Sequence, residues 1–385
     1  MRSLKQFFTI FFVIIFFLST PMVSWANTDA PLQPLSEVVR GRIISIETPE
    51  VDEEKHGSFT TDVQSVLVQV TQGEFRDSEI TIDHTLSGNM ARDFYYQEGD
   101  RVLLWIESTN GEMSRAYIRE VTRDHYLMYL TLFFIFSLLL IGGKKGAKAI
   151  ITLCITGLLV IKVLLPLILE GFNPTIVTIV IASIIVSSTL IIISGFNRKT
   201  YAAIIGTIGG VIIAGILAST MTSLTRLTGL SNNEAQTLMY LPQGTRFNFQ
   251  GLLFSGMIIG AMGAVLDVGM SISSSMDEIS RANPSLTTKE LIGSGLNIGR
   301  DIMGTMSNTL ILAYTGASMH LLLVLSAYDV PLSRIMSVEP IATEVIRILS
   351  GSIGLIYAIP LTAIAAGFLY NSPALQQKKP IKNKV

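Results

Sequence analysis

Residues 263–280 read GAVLDVGMSISSSMDEIS, and residues 299–316 read GRDIMGTMSNTLILAYTG. Each block lies at the polar end of a long apolar run, and a short polar connection separates them. The pattern predicts two transmembrane helices joined on one side of a bilayer. In the first block Asp267, Ser271, Ser274 and Glu278 follow one another at three or four positions. In the second, Asp301, Thr305, Asn308 and Thr315 are spaced by four, three and seven, so each set falls on one helix face. Two polar stripes are therefore expected to enter the membrane from the same side. An acid inside a span is costly unless it faces protein or water, which makes Asp267 the first candidate for function.

Asp267 is expected about four or five residues from the cytosolic end of its span, about 7 Å deep at a rise of 1.5 Å per residue. Desolvation favours the neutral form of a carboxyl buried without a partner. Such a group can take up and release a proton as a cavity opens to either side. Thr305, Ser307, Asn308 and Thr309 on the next helix offer neutral hydrogen-bonding groups. Arg300 and Asp301 stand at its cytosolic entrance, and Arg300 is the cation within reach. The bland alternative is that these groups satisfy one another and glue two helices together, at under ~1 kcal/mol per pair. An acid combined with Asn308 and the cluster Ser271, Ser273, Ser274 and Ser275 favours function over glue. The candidate proton-coupling site is thus Asp267, Ser271, Ser274, Asp301, Thr305, Asn308 and Thr309. Asp277 and Glu278 are expected at the water interface.

The rest of the chain fits a membrane setting. Of 385 residues, 49% are hydrophobic and only 15% charged, against about a quarter charged in soluble domains. The net charge of −1 gives no sign of a nucleic-acid partner. The single cysteine, Cys154, excludes an intramolecular disulfide and a cysteine-based metal cluster. His56, His84, His125 and His320 are scattered without metal-ligand spacing, and no cofactor is expected. No histidine neighbours the serine cluster in sequence. There is no Gly-x-Ser-x-Gly elbow and no phosphate-binding glycine loop. A serine–lysine pair would need Lys289, in the connection, so an enzyme is not expected.

Residues 1–26 have the pattern of a signal peptide. Arg2 and Lys5 precede an apolar core at 7–18, and Ser24-Trp25-Ala26 supplies small residues for cleavage. The competing reading is an uncleaved anchor, for which the core is short. Residues 36–122 hold five or six short β-type runs punctuated by Gly73, Gly88, Gly99-Asp100 and Asn110-Gly111. They predict a small barrel of the oligonucleotide/oligosaccharide-binding (OB-like) shape, acting as a cap or docking module. Residues 126–370 form the transmembrane domain, with seven spans expected at 126–142, 149–169, 175–195, 201–221, 250–272, 302–326 and 347–369. Lys144, Lys145, Lys148, Arg198, Lys199, Arg281, Lys289 and Arg300 then share one side with the Lys-rich tail, 371–385. That excess orients the tail to the cytoplasm and the β domain outside the cell membrane. The fold class is therefore an α-helical polytopic membrane protein with a small extracytoplasmic β-barrel.

Gly206 and Gly210, and likewise Gly256 and Gly260, sit four apart, so the fourth and fifth spans are expected to touch along these faces. Gly351 and Gly354 are weaker versions of the same signal. Ser231 with Glu234, and Thr287 with Glu290, each fit a helix-starting capping box. The segment 331–346, with Pro331 and Pro340, is expected to lie in the outer interface. Lys162 is expected to snorkel toward Glu170, and His320 to sit at the outer interface.

The leader, the β domain and the blocks LDVGMSISSSMDEI and GRDIMGTMSNTLILAYTGAS resemble the YibE/F family of bacterial multipass membrane proteins. The resemblance covers most of the chain and implies a membrane location. More distantly, Asp267, the segment 276–299, and Asn308 with Thr309 are similar in order to one repeat of the resistance-nodulation-division superfamily. There, an intramembrane acid serves proton-driven conformational work. Two extra spans and the absence of a long porter domain depart from that pattern. The expected role is a proton-coupled transporter or export-related protein. The alternative is a non-transporting scaffold whose outer β domain docks an envelope partner. Expected partners are the lipid bilayer and either a paralogous membrane subunit or a second copy.

Overall fold

The computed structural model describes residues 35–47, 62–86, 94–109, 112–240, 248–328 and 331–370. The leader, Gly88, the Asn110-Gly111 turn and the Lys-rich tail lie outside the described residues. The chain parts into two compact units between Ser137 and Leu138.

The first unit is built on five strands: β1 Leu35–Glu47, β2 Asp62–Val70, β3 Glu79–Leu86, β4 Arg101–Thr109 and β5 Glu112–Val121. All neighbours are antiparallel, in the order β3-β2-β1-β4-β5. The outer strands β3 and β5 approach each other, giving a nearly closed barrel. Period-two alternation drives this closure. Val66, Val68 and Val70 of β2 and Val102, Leu104 and Ile106 of β4 point inward and are essentially fully buried. Val39 and Ile43 of β1 meet them from between. Burial of each such side chain stabilises the barrel by about 1.5–3 kcal/mol. At Gly41 a Cβ would lie 2.6 Å from a Val68 methyl and 2.8 Å from a Leu104 methyl, so the barrel admits only glycine there. Gly73 and Gly99 take φ near +90°, as expected of glycines that mark turns.

Gln64 is buried, and its Oε1 accepts the Tyr96 backbone N–H at 3.2 Å. Burial also raises the Tyr96 hydroxyl above the ordinary tyrosine pKa. A secreted fragment of residues 31–122 is expected to give a β-type circular dichroism spectrum and one cooperative melt. Tyr96 must be neutral to stay buried, so its contribution is complete below pH about 10 and lost as the pH rises through its raised pKa. An aggregated or unfolded fragment would mean that the helices complete the barrel.

The second unit is helical, and its first helix begins within the first unit. The helices are α1 Asp124–Leu169, α2 Pro174–Ser194, α3 Arg198–Leu224, α4 Asn233–Leu238, α5 Phe249–Ala282, α6 Thr288–Ala317, α7 Met319–Ala327, α8 Leu332–Ile335 and α9 Glu339–Tyr370. Five of them are long and apolar enough to cross a membrane, and six if α6 and α7, bent by 65° at Ser318, count as one broken span. The seven expected spans map onto these helices once α1, 46 residues long, is divided at Gly143 into the first two. A straight helix of that length would far exceed a bilayer core of about 30 Å. Gly143 breaks it, with φ 51° and ψ −124°. The chain turns so sharply there that a Cβ on Gly146 would collide with the carbonyl of Leu138.

At the centre of the helical unit, α9 packs against α3, α5 and α6. The tightest crossing is α3 on α9. A Cβ on Gly354 would lie 2.6 Å from Ala214 Cβ and 2.7 Å from the Gly210 carbonyl oxygen. One on Gly206 would overlap Thr362. This corrects the expected pairing of glycine faces in part. Gly206 and Gly210 both serve α9, and Gly210 also meets Val265 of the fifth span at 3.0 Å, while Gly256 meets nothing within 4 Å and Gly260 faces Tyr314 of α6. α3 and α5 touch through further residues as well: Gly215 meets Phe254 and Ile258, and Gly269 meets Thr207 and Ala203.

The caps hold the helix ends. Thr287 and Glu290 form the expected reciprocal capping box at the start of α6. In the segment after α3, the cap of α4 is Asn232, whose side chain accepts the Ala235 N–H at 3.1 Å, not the expected Ser231. α9 begins at Glu339, eight residues before the expected span. Pro340 occupies its first turn, where the missing N–H costs nothing.

Candidate functional site

The site is framed by α5 and α6. Asn248 caps α5 by accepting the Gly251 N–H at 2.9 Å. Asn283-Pro284 stops α5, and the capping box at Thr287 restarts the chain in the opposite direction. A Cβ on Gly295 would press on Met276, and one on Gly260 on Tyr314. Interpolating between these two contacts along antiparallel helices sets Asp267 level with Gly304 to Ser307.

Each helix has a buried and an open face. On α5, Phe254, Ile258, Ala261, Val265, Val268, Ile272 and Met276 are buried. Gly256, Gly260, Gly263, Asp267 and Ser271 form an exposed stripe, and Ser274 is half-buried. On α6, Leu291, Gly295, Gly299 and Leu310 turn inward, while Asp301, Gly304, Thr305, Asn308 and Thr309 are exposed. A Cβ at position 256, 263 or 304 would meet nothing within 4 Å, and of these Gly263 and Gly304 lie near the level of the acid.

Hydrogen bonding sorts the candidates. The hydroxyls of Thr305 and Thr309 are spent on their own helix, donating to the carbonyls of Ile302 and Thr305 at 2.9 Å. Among the described residues, Asp267, Ser271, Ser274, Asp301 and Asn308 make no side-chain hydrogen bond or ion pair. Arg300, weighed as the partner of Asp267, instead donates to Asn297 Oδ1 at 2.9 Å. Ser273, of the serine cluster, is structural: it is fully buried and donates to the Lys199 carbonyl at 2.6 Å. Its own carbonyl accepts from the Tyr370 hydroxyl at 3.2 Å, and Arg198 Nη1 donates to the Tyr370 carbonyl at 3.0 Å. These bonds tie the ends of α3, α5 and α9 together. Asp277 pairs with Arg281 at 2.8 Å, one turn away. Lys162 lies in a π-helical turn, Val160–Leu164, which opens α1.

A second polar cluster, at the far end of α5, escaped the sequence reading. Glu344 and Arg347 of α9 pair at 3.1 Å, and the Arg347 guanidinium lies 5.7 Å from the Tyr314 ring centroid. Their three-residue spacing is a helical signal. The segment 331–346, expected in the outer interface, is helical from Glu339, which sets the two side chains one turn apart.

Long apolar helices that carry an unpartnered acid, preceded by a nearly closed β-barrel, define a polytopic membrane protein with an N-terminal β domain. Within that class, the chain belongs to the YibE/F-like protein family. The family model described as YibE/F-like protein matches residues 130–372, and the YibE/F family N-terminal domain matches residues 33–121. Comparison with curated proteins and with solved structures returns no match.

Proposed function

We propose that this membrane protein is a proton-coupled transporter or export-related protein, with Asp267 as the coupling acid. One observation carries the reading. Asp267 has no polar partner among the described residues, yet stands on an open, glycine-lined face of a helix long enough to span a bilayer. An acid so placed faces water or a second protein rather than lipid. The level of Asn308 and Thr305 on α6 supplies a polar opposite wall. The order of acid, connecting segment and Ser/Thr/Asn-bearing helix, distantly similar to one repeat of the resistance-nodulation-division superfamily, points the same way. In the membrane, a paralogous subunit or a second copy closes this face. The test is Asp267→Asn beside Asp267→Glu in a deletion strain, with protein level and function read together.

A scaffold role is the second reading, and the outer face of the barrel favours it. Val38, Trp105 and Tyr117 stand side by side across β1, β4 and β5. Val38 and Tyr117 are each about half exposed, and Arg119 lies 5.2 Å from the Trp105 ring centroid. An apolar row with two aromatic rings suits docking of an envelope protein.

Both readings take the barrel to be outside the cell and the tail inside. In a Cys154→Ala background, an impermeant thiol reagent applied to intact cells is expected to label Glu98→Cys and to spare Lys378→Cys. The reverse pattern would overturn the orientation, and with it the docking of an envelope partner.

A further inference from the structure

The outer face of the barrel gathers arginines where α1 leaves it. Arg42 of β1 stands directly opposite Arg101 of β4 in the strand register. On the other side of Arg101 is Thr122, just past β5. Its N–H donates to the Arg101 carbonyl at 2.7 Å and its hydroxyl donates to the same oxygen at 3.0 Å. Arg123 comes next, and α1 starts at Asp124. Arg40, two residues before Arg42 and so on the same face of β1, reaches that start: its Nη2 lies 2.7 Å from Asp124 Oδ2. All four arginines are exposed. The apolar part of α1 follows at once. Tyr126 and Tyr129 are 69% and 61% exposed. Tyr126 is about 3 Å along the helix from Asp124 at 1.5 Å per residue. Tyrosines at the end of a span sit at the level of the lipid headgroups. The arginines at the root of α1 are within a side chain's reach of that level.

Folding alone does not account for these charges. Like charges directly opposite each other in an antiparallel pair are destabilising, and Arg42 with Arg101 carries that cost. Among the described residues, the side chains of Arg42, Arg101 and Arg123 make no hydrogen bond or ion pair. The nearby acids are otherwise placed. Asp124 serves Arg40, the Asp100 carboxylate accepts the Gln97 N–H at 2.9 Å, and Glu120 stands opposite Leu103. Three cations are left for an anion from outside the chain. A guanidinium matches a phosphate with two parallel N–H donors, which a point charge cannot do. An open face gives a free phosphate little grip. A headgroup is different, because the bilayer around α1 already holds it beside the cluster at high effective concentration.

We propose that Arg42, Arg101 and Arg123 bind the headgroup phosphates of acidic phospholipids and seat the barrel on the bilayer surface. The proposal depends neither on the role of Asp267 nor on which side of the membrane the barrel lies. Its test uses the full-length protein in an uncharged detergent, with Cys154→Ala and a fluorophore on Glu98→Cys, three residues before Arg101, as the local reporter. Short-chain phosphatidylglycerol, short-chain phosphatidylcholine and glycerol phosphate are titrated separately. Phosphatidylglycerol is expected to bind tightest, and added salt should weaken it. Each of Arg42→Gln, Arg101→Gln and Arg123→Gln should weaken that binding about fivefold, and the three together about a hundredfold. None should lower the melting temperature, because no internal partner is lost, and Arg42→Gln relieves the opposition to Arg101. Equal binding of the two lipids, or phosphatidylglycerol binding indifferent to salt or to the triple variant, would overturn the proposal. So would glycerol phosphate bound as tightly as the lipid, which would make the cluster a site for a free anion.

Discussion

Asp267→Asn is expected to abolish function while the protein accumulates normally. Asn matches Asp in size and costs less to bury, so nothing in the packing of α5 is disturbed. What disappears is the exchangeable proton. Asp267→Glu keeps that proton and should retain part of the activity. A carbodiimide that attacks protonated carboxyls in apolar surroundings should modify wild-type Asp267, less so as the pH rises, and leave the same peptide of the Asn variant unmodified. Three explanations separate here. A proton carrier loses function at normal abundance. A residue that merely glues helices tolerates Asn, whose amide bonds nearly as well. An ion-pair partner of Arg300 would destabilise the protein on substitution by leaving a charge unpaired, and the Arg300–Asn297 bond already argues against that pairing. Full function of Asp267→Asn at normal abundance would end the coupling hypothesis and leave the scaffold reading.

The second large effect is on folding. Gly354→Val is expected to leave almost no folded protein. Its Cβ alone would lie 2.7 Å from the Gly210 carbonyl oxygen, and backbone cannot swing aside as a side chain can. Overpacking of a tight core costs typically 1–3 kcal/mol, and a backbone collision at the central crossing should exceed about 3 kcal/mol. At Gly263, on the open face beside Asp267, an added Cβ meets nothing within 4 Å, so Gly263→Leu should fold normally. If the face is a working surface, the leucine still impairs function. Detergent-extracted yield and size-exclusion profile, read beside activity, distinguish the two kinds of glycine. Normal yield of Gly354→Val would overturn the account of the α3–α9 crossing.

Much of this was legible in the residues. The alternating Val66, Val68 and Val70, and Val102, Leu104 and Ile106, can satisfy a half-buried strand and little else, and they became β2 and β4. The three- and four-residue spacing of Asp267, Ser271 and Ser274 already implied one helix face. What the spacing could not tell was which neighbour that face would meet. Small residues four apart license close approach of a backbone without naming the partner, so the spacing of Gly206 and Gly210 does not reveal that α9 is their main neighbour, with Val265 of the fifth span touching Gly210 from the side. Asn232 beat Ser231 as a cap because both side chains can do the work and only the turn geometry chooses. The segment 331–346, expected in the outer interface, holds the start of α9 instead, because a helix tolerates proline in its first turn. The pairing of Glu344 with Arg347 and the contact of Arg347 with the Tyr314 ring follow from that helix and from the packing of α6, which the residues alone do not give.

The latch at Ser273, Tyr370 and Arg198 has a mechanical consequence. It pins α3, α5 and α9 into one stiff block by hydrogen bonds between elements. α6 is joined differently. From Lys289 to Ala317 its side-chain hydrogen bonds close within the helix or its own cap. It rests on the block through Gly295 against Met276, Gly299 against Ile359 and the ring of Tyr314 under Arg347. Such a joint is a greased bearing: tilting α6 about the 283–287 turn exchanges dispersion contacts without breaking a side-chain hydrogen bond along those residues. The wall opposite Asp267 is thereby held by side-chain packing alone from Lys289 to Ala317, while the acid stands on the hydrogen-bonded frame.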